Sequence, residues 1–531
     1  MASYQLNIAA ILRRAEQFCA RREIVTRLSD RSFHRYTYAD LGRRARRLAS
    51  ALGGLGLEPS ARIATLCWSH YQHLELYYAA PIAGFVTHPL NPRLHADDIA
   101  YVARHADDRV LVVDESLLPV YETIKSAVDF AHVVVIGKAS AGTIAYEDLL
   151  ARGEPDWEPP ELDEDLPALM GYSSGTTGRP KGVTFTHRAI AIHTLSISLN
   201  GWVALRESDV VLPVVPMFHA LAWGWPYACA LLGAKQVLPG PHLDPASLIE
   251  DFAQERVTVT GGVPTVWMGV LRALDAEPKR YDLSAMRAII SGGSTAPQSM
   301  IEGYEKRHGL NLVHTWGMTE MCMGMISEVP WDLRDAPEEA QMRLRIKQGR
   351  PMPFVEIRAR GDAGLVPWDG HSMGELEVRG PWVAERYANA PEASVELWTG
   401  DGWFRTGDIV TIDERGYVEI HDRSKDLIKS GGEWISSVAL ESALMGHAAV
   451  LEAAVIAVPH EKWTERPLAV VVLREGQSAC PDELRAFLAE RVPKWWLPER
   501  FEFIDALPKT AVGKFKKTAL RERFAAKPGG A

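Results

Sequence analysis

Short apolar runs rich in β-branched residues alternate with helical patterns over the first three hundred residues, and this alternation constrains the fold more than any other feature. Residues 110–113 and 133–136 are such runs, bounded by polar residues, as expected of buried parallel strands. Residues 210–215, 257–260 and 288–290 repeat the pattern further along the chain. Strands that alternate with helices form layered α/β structure. We therefore predict an α/β fold with two successive sets of βα units.

The chain becomes β-rich after about residue 350. Strands are predicted at 355–359, 374–379, 410–413 and 417–421, which favours a small β-barrel or an edge sheet. The charged segment 422–426 then interrupts the pattern. The remaining segment of about 105 residues has the size of an independent domain. We predict that it is a compact unit containing both helices and strands.

Composition excludes several classes of protein. The chain has 531 residues, 47% hydrophobic content and a formal net charge of −10, and this acidic balance argues against nucleic-acid binding. Five widely spaced cysteines without a Cys-x-x-Cys pair argue against structural zinc and indicate a reducing compartment. The N-terminus lacks the pattern of a signal peptide, and no apolar stretch is long enough to cross a bilayer. We expect a cytoplasmic protein without a transmembrane segment.

Residues 172–182 concentrate glycines, hydroxyl side chains and cations in one segment, Tyr-Ser-Ser-Gly-Thr-Thr-Gly-Arg-Pro-Lys-Gly. Glycine lets the backbone approach a ligand closely and adopt positive φ. The hydroxyl and N–H groups are donors for anions, and Arg179 and Lys181 add positive charge. This combination predicts a loop that binds a polyanion, and a nucleoside triphosphate fits it best. We call residues 172–182 the polyanion loop.

Two other motifs compete for the same segment. A Walker loop has glycine before its lysine, whereas here Gly182 follows Lys181. Residues 171–175 match Gly-x-Ser-x-Gly, the nucleophile elbow of serine hydrolases, with Ser173 as the nucleophile. That elbow requires a helix directly after the serine, and the residues that follow Ser173 are poor helix formers. A serine hydrolase is therefore the weaker alternative, from a different class of enzyme.

Three predicted strands end in segments that contain glycine, histidine or hydroxyl residues. These segments are 216–219, 261–264 and 291–294. Ligands of parallel sheets collect at the carboxyl ends of the strands. We therefore expect the three segments to share one crevice.

Two further segments carry groups suited to a nucleotide. In the first, Trp316 offers a flat ring for a base and Thr319 a hydroxyl for a phosphate. Glu320 offers a carboxylate for Mg²⁺, which prefers oxygen ligands. In the second, Asp408 follows a glycine, where a carboxylate suits the hydroxyls of a ribose. Near the C-terminus, Lys514 follows a glycine, and as a lone lysine it would be assigned to the solvated surface.

Taken in order, these motifs resemble the AMP-forming acyl-CoA synthetases, a branch of the adenylate-forming superfamily that also contains luciferases and nonribosomal adenylation domains. The resemblance covers nearly the whole chain, and an ordered set of this length is highly specific. The matching segments are 172–188, 216–219, 292–294, 316–320, 406–408, 422–423, 429–436 and 513–514. Segments 216–226 and 431–437 look most like bacterial fatty-acid–CoA ligases and the branch that acts on methylthio-substituted propionic acids.

The resemblance implies a two-domain architecture and a two-step reaction. Residues 1–424 would form an N-terminal domain of two βα-layered subdomains plus a small β-barrel, and residues 425–531 a small, mobile α+β domain, with Lys425 as the hinge. A carboxylate would attack the α-phosphorus of ATP and release pyrophosphate, and the thiol of CoA would then attack the acyl-AMP. ATP and CoA would be co-substrates, Mg²⁺ the cofactor, and a homodimer the assembly.

The same resemblance implies a role for each matching residue. The catalytic groups would be Lys514, Thr319, Glu320 and His219. The phosphates would contact Ser173, Ser174, Gly175, Thr176, Thr177, Gly178 and Lys181. The adenosine would contact Gly293, Ser294, Trp316, Gly317, Asp408 and Arg423. Mg²⁺ would bind Thr176 and Glu320, and CoA would bind Lys429, Ser430, Gly431, Gly432, Glu433 and Trp434.

The acyl pocket is implied at Trp223, Gly224, Trp225, Met318 and Met321. Trp223 stands where related fatty-acid ligases have a gating indole, and bulky Trp225 predicts a preference for short- to medium-chain acids. His219 stands where adenylation domains for α-amino acids typically have Asp, which argues against amino acid substrates. The predicted function is an ATP-dependent CoA ligase for short-, medium- or long-chain fatty acids. A CoA ligase for aryl or methylthio-alkanoic acids is the alternative.

Overall fold

The computed structural model describes residues 4–173, 179–199, 204–430, 433–509 and 515–524. Ser174, Gly175, Thr176, Thr177, Gly178, Gly431, Gly432 and Lys514, all predicted site residues, lie outside them. The α-helices are α1 Ile8–Phe18, α2 Tyr38–Gly53, α3 Tyr71–Ile82, α4 Ala96–Ala106, α5 Leu118–Ile124, α6 Tyr146–Arg152, α7 His187–Leu199, α8 Trp225–Leu232, α9 Pro245–Gln254, α10 Pro264–Ala276, α11 Gln298–His308, α12 Glu338–Arg345, α13 Pro391–Leu397, α14 Ser437–Met445, α15 Pro481–Ala489 and α16 Lys517–Phe524.

The strands are distributed over four sheets. They are β1 Glu23–Arg27, β2 Phe33–Thr37, β3 Arg62–Leu66, β4 Val86–Pro89, β5 Asp108–Asp114, β6 His132–Ile136, β7 Ile144–Ala145, β8 Pro167–Tyr172, β9 Gly182–Thr186, β10 Val210–Pro213, β11 Lys235–Leu238, β12 Val259–Gly262, β13 Ala288–Ser291, β14 Leu312–Met318, β15 Cys322–Ile326, β16 Arg350–Pro351, β17 Glu356–Gly361, β18 Gly364–Leu365, β19 Gly374–Arg379, β20 Phe404–Ile412, β21 Val418–Arg423, β22 Ile428–Ser430, β23 Glu433–Ile435, β24 Val450–His460, β25 Thr464–Leu473 and β26 Arg500–Phe503.

Helix boundaries follow capping chemistry that the sequence carries. Helix α2 begins at a capping box in which Thr37 Oγ1 accepts from the Asp40 N–H, while Asp40 accepts from the Thr37 N–H at 2.9 Å. Helix α1 buries Ile8, Ile11, Leu12 and Ala15, whose spacing places them on one face of the helix. Phe18 is the last residue of the helix and is 69% exposed beside the guanidinium of Arg14.

Two βα-layered subdomains form the larger part of the chain, as predicted. The first has a seven-stranded sheet of order β7-β6-β5-β3-β4-β8-β9, parallel except for the antiparallel pair β8–β9. The second has a nine-stranded sheet of order β16-β15-β14-β13-β12-β10-β11-β1-β2, parallel from β14 to β1. Helices connect the parallel strands and cover the sheets, so the strands are buried apolar runs.

The β-rich segment after residue 350 forms a five-stranded antiparallel sheet. Its order is β18-β17-β19-β20-β21, and the ladder runs from one end to the other without pairing β18 to β21. The small barrel that the sequence allowed is therefore an open edge sheet here. Strand β20 pairs with β21 so that Asp408 lies opposite Arg423, two residues predicted to contact the ribose.

The C-terminal segment folds as a separate α+β unit. Strands β22 to β26 form its sheet, in which the eleven-residue strand β24 pairs with the ten-residue strand β25. Its apolar clusters contain only residues from 428 onward, whereas one continuous core joins the two large sheets and the five-stranded sheet. The sequence break at 422–426 thus falls between two cores. No helix in the described part of the chain has the length and apolar character needed to span a membrane.

Candidate active site

A cavity of about 540 Å³ lies where the carboxyl ends of β12, β13 and β14 meet the five-stranded sheet and the C-terminal domain. It is the crevice that the strand-end segments predict. The predicted site residues that line it are Ser173, Lys181, His219, Trp223, Gly293, Ser294, Trp316, Gly317, Met318, Thr319, Glu320, Asp408, Arg423 and Lys425. The structure therefore brings together residues that are more than two hundred positions apart in the chain.

The polyanion loop connects two antiparallel strands. Tyr172 at the end of β8 lies opposite Gly182 at the start of β9. The N–H of Ser173 donates to the carbonyl of Lys181 at 2.9 Å, and the N–H of Lys181 donates to Ser173 Oγ at 3.0 Å. The next described element along the chain is strand β9, which returns antiparallel to β8. The described residues thus place Ser173 within an antiparallel strand pair, which favours the polyanion loop over the strand–turn–helix of a nucleophile elbow.

The predicted adenosine residues form a connected group at one end of the cavity. The indole N–H of Trp316 donates to Asp408 Oδ2 at 3.0 Å, and Arg423 Nε lies 2.7 Å from Asp408 Oδ1. Arg423 also donates to the carbonyl of Thr406 at 3.0 Å. Asp408 is only 2% exposed, so its carboxylate depends on these donors. Sequence motifs identified each residue, but the hydrogen bond between Trp316 and Asp408 emerges only from the fold.

The backbone around Trp316 leaves no room for a side chain at Gly317. A Cβ atom there would lie 1.8 Å from the carbonyl oxygen of Cys322 on the neighbouring strand β15. Strands β14 and β15 shift register at this point, between Trp316 and Gly317. The glycine thus permits the close approach of two strands that aims Trp316 into the cavity.

Glu320 is held by a residue that the sequence analysis missed. Tyr387 donates its hydroxyl to Glu320 Oε1 at 2.5 Å, and its ring lies 5.0 Å from the ammonium of Lys181. Burial, and then the adjacent carboxylate of Glu320, raises the pKa of Tyr387 above its ordinary value, so the phenol stays a donor. Glu320 is 5% exposed and lines the cavity, so it fits the oxygen ligands that Mg²⁺ prefers.

The predicted acyl pocket divides into two layers. Trp223 and Met318 line the cavity, whereas Gly224, Trp225 and Met321 do not, and Trp225 is 1% exposed. A Cβ atom added at Gly261 would lie 3.4 Å from the Trp223 ring and 2.9 Å from the Trp225 ring. Both indoles therefore fill space that this glycine at the end of β12 leaves open.

Trp223 belongs to a strained segment. Leu221, Ala222 and Trp223 have φ of 46°, 54° and 53°, followed by Gly224 at 77°, so four consecutive residues adopt the left-handed region. Side chains other than glycine rarely adopt this region, and such strain clusters at functional sites. Among the described residues, no other run of this kind occurs.

The C-terminal domain closes the cavity. Phe515 and Lys516, the next residues after Lys514 in the sequence, line it together with Lys425. Burial lowers the pKa of Lys425 below its ordinary value. The predicted CoA residues Lys429, Ser430 and Trp434 lie on the β22–β23 hairpin and do not line the cavity, and Glu433 is in strand β23.

Two contacts dock the C-terminal domain on the end of strand β21. The Ser437 N–H, at the start of α14, donates to Asp422 Oδ2 at 2.8 Å, and the Ser436 hydroxyl donates to the carbonyl of His421. Behind this contact Lys517 Nζ lies 2.7 Å from a carboxylate oxygen of Glu441, inside the C-terminal domain. The docked arrangement therefore rests on a buried carboxylate at the N-terminus of a helix.

Two layered subdomains and an edge sheet meet a C-terminal domain at a cavity lined by the predicted nucleotide-binding residues. This is the architecture of a two-domain adenylate-forming enzyme. Comparison with known families agrees, because the AMP-binding enzyme profile matches residues 11–388 and the profile of the AMP-binding enzyme C-terminal domain matches residues 439–514. The chain belongs to the AMP-binding enzyme family, and within it is an acid–thiol ligase.

Known relatives cover the whole chain. A long-chain-fatty-acid–CoA ligase of Thermus thermophilus is 48% identical, covering 100% of this chain and 98% of the relative. A 3-methylmercaptopropionyl-CoA ligase of Ruegeria lacuscaerulensis is 41% identical, and the match covers 99% of this chain and 98% of the relative. Among solved structures, an anthranilate CoA ligase in complex with anthranoyl-AMP superposes with a TM-score of 0.87 at 26% identity, covering 97% of both chains.

Proposed function

We propose that this enzyme activates a fatty acid with ATP and transfers the acyl group to coenzyme A. The observation that carries the proposal is that nucleotide-type residues, an apolar wall at Trp223 and the segment next to Lys514 meet in one cavity. The relative that is 48% identical is named for long-chain fatty acids, which supports an aliphatic acid. The 3-methylmercaptopropionyl-CoA ligase, at 41% identity, supports a methylthio-alkanoic acid as the second candidate.

The chemistry requires an activated intermediate. A carboxylate resists attack by a thiol because its oxide is a poor leaving group, whereas a mixed anhydride with AMP has a good one. The acid attacks the α-phosphorus of ATP and releases pyrophosphate, and the thiol of CoA then displaces AMP. No covalent enzyme intermediate forms, so the side chains act by positioning the substrates and stabilising charge.

The nucleotide would lie across the cavity. Trp316 would stack on the adenine beside Gly293 and Ser294, and Asp408 with Arg423 would bind the ribose. Ser173 and Lys181, at the two ends of the polyanion loop, would contact the β- and γ-phosphates. The connected hydrogen bonds from Trp316 to Asp408 and from Asp408 to Arg423 support this orientation, because one network would hold both the base and the sugar.

The α-phosphate would lie near Thr319 and Glu320. Glu320, together with Thr176, would hold Mg²⁺, which supplies positive charge against the triphosphate. Lys514 would neutralise the charge that builds up between the carboxylate and the α-phosphate. His219, which also lines the cavity, would lie on the carboxylate side of the reaction.

The two steps would use two orientations of the C-terminal domain. We propose residues 1–424 and 425–531 as the two rigid units, with Lys425 as the hinge. In the arrangement described here the predicted CoA residues on the β22–β23 hairpin do not line the cavity. Rotation about Lys425 would carry Lys514 away from the acyl-AMP and bring this hairpin to it. Lys514 would then occupy the space beside the reacting carbonyl in the first step, and the thiol of CoA would occupy it in the second.

Chain length would depend on the two indoles. Trp223 would move to admit the acyl chain, because its left-handed backbone stores strain that a second conformation can release. Trp225 behind it would limit the depth of the pocket and favour short- to medium-chain acids. We also keep two predictions from the sequence, a cytoplasmic location and a homodimer.

The proposal is tested by measuring CoA-thioester formation with acids of graded chain length, including aryl and methylthio acids. ATP- and acid-dependent release of pyrophosphate, with an optimum among aliphatic acids, is the expected result. An optimum at aryl acids would contradict the proposed substrate class. Hydrolysis of esters without ATP would contradict the reaction itself, and a Ser173→Ala variant should weaken activity without abolishing it.

A further inference from the structure

Tyr387 connects two groups that come from distant parts of the chain. Its hydroxyl donates to Glu320 Oε1 at 2.5 Å, and the ammonium of Lys181 lies 5.0 Å above its ring centroid. Both partners line the cavity, and so does Tyr387 itself. One side chain thus contacts a carboxylate and a cation at the phosphate end of the site.

The position of Tyr387 is itself fixed by its surroundings. It is 5% exposed, and its N–H donates to Ser394 Oγ at 3.0 Å. Its ring meets the edge of Trp398 at a centroid distance of 5.2 Å. The next residue, Ala388, donates its N–H at 2.8 Å to the carbonyl of Gly182, the last residue of the polyanion loop. Tyr387 is therefore locked to the loop and has little freedom to leave Glu320.

The contacts of Tyr387 with Glu320 and with Lys181 have different chemical effects. A phenol that donates to one oxygen of a buried carboxylate restricts its rotation, so the remaining lone pairs keep a constant direction. An aromatic face attracts an ammonium without occupying its hydrogen-bond donors, so the donors of Lys181 remain available for phosphate. We propose that Tyr387 is a positioning residue that orients Glu320 for the metal and Lys181 for the phosphates of bound ATP. This inference rests on the proposed function of the same site.

Nucleotide binding, measured without turnover, tests this inference. Isothermal titration of the full-length enzyme with ATP, in the absence of acid, is carried out with Mg²⁺ and again with EDTA. Tyr387→Phe keeps the ring but removes the hydroxyl donor, whereas Tyr387→Leu removes both. The matched control is Tyr146→Phe, because Tyr146 is also buried and also donates to a carboxylate, Glu75, at 2.6 Å outside the cavity.

The variants should separate the two contacts. Tyr387→Phe should weaken binding of Mg-ATP about tenfold, the loss expected of a hydrogen bond to a charged group. Its affinity for ATP in EDTA should stay within about twofold of the wild type, because Lys181 keeps its ring. Tyr387→Leu should weaken ATP binding under both conditions, and Tyr146→Phe under neither.

Two outcomes would overturn the inference. The first is a Tyr387→Phe enzyme that binds Mg-ATP as tightly as the wild type. The second is a Tyr387→Phe enzyme that loses the same factor with and without Mg²⁺, since a merely structural role would not depend on the metal. A wild-type enzyme that binds no ATP under either condition would instead overturn the proposed function, so the two failures are distinguishable.

Discussion

Replacing Asp422 with alanine should impair one half-reaction and spare the other. Asp422 is the penultimate residue of strand β21, just before the proposed hinge, is 1% exposed, and accepts the N–H of Ser437 at 2.8 Å. If the domain rotates about Lys425, this contact exists only in the docked arrangement, the one in which Phe515 lines the cavity. Loss of the carboxylate should therefore destabilise the docked arrangement relative to the rotated one.

The size of the effect follows from the type of contact. A hydrogen bond to a charged group contributes about 1.5–3 kcal/mol, and the carboxylate also lies at the N-terminus of α14, where negative charge is favourable. A loss of about 2 kcal/mol would change the ratio of docked to rotated enzyme about thirtyfold. Acyl-AMP formation should then fall about ten- to thirtyfold where docking limits the rate.

The assay separates the half-reactions. Acyl-AMP formation is followed by ATP–pyrophosphate exchange, and thioester formation is followed by adding acyl-AMP and CoA. Thioester formation should stay within about twofold of the wild type, because the rotated arrangement does not use Asp422. Asp209→Asn is the control, since Asp209 is a buried carboxylate that accepts a backbone N–H from Arg206 far from the hinge. Equal loss of both half-reactions in Asp422→Ala would refute the reasoning.

Three further predictions concern stability and specificity. Burial lowers the pKa of His193 from 6.5 to about 4, so the unfolded chain takes up a proton first as the pH falls. The stability that neutral His193 contributes is present above pH 6.5 and is lost as the pH falls towards 4. Between pH 7.5 and pH 5, the free energy of unfolding from urea titrations should therefore fall by about 2 kcal/mol less in His193→Leu than in the wild type. An equal fall in both proteins would contradict this. Trp225→Leu should shift the optimum of kcat/KM to longer acids, and an unchanged optimum across the acid panel would argue against Trp225 as the depth limit. Gly317→Ala should lower the Tm and destabilise the fold by about 1–3 kcal/mol or more, because its Cβ would lie 1.8 Å from a backbone oxygen. A variant as stable as the wild type would contradict the close approach of β14 and β15.

Local patterns were sufficient to predict the elements. The buried strands β5 and β6, for example, are recognisable from short runs of β-branched residues alone. Chemistry at strand ends predicted the crevice because parallel strands expose their carboxyl ends on one edge. Strand β12 shows the limit of this approach, since the predicted 257–260 begins two residues before the observed Val259.

Contacts between distant segments were beyond local patterns. The hydrogen bond from Trp316 to Asp408 spans 92 positions, and that from Tyr387 to Glu320 spans 67. Neither the segment around Tyr387 nor its spacing from Glu320 carries a recognisable signal, because the two residues lie in separate connections, one after β19 and one between β14 and β15, that meet only in the fold. Trp225 was predicted to line the acyl pocket, yet it packs behind Trp223, since the glycine at position 261 leaves space for both rings.

The central claim is that one cavity forms an acyl-AMP with the help of Lys514, and that CoA then reacts without this lysine. Lys514→Ala tests it most directly, with both half-reactions measured on the same preparation. The account predicts that acyl-AMP formation from ATP and acid is abolished while supplied acyl-AMP is still converted to the CoA thioester. Equal loss of the two half-reactions, or acyl-AMP formation at the wild-type rate, would contradict it.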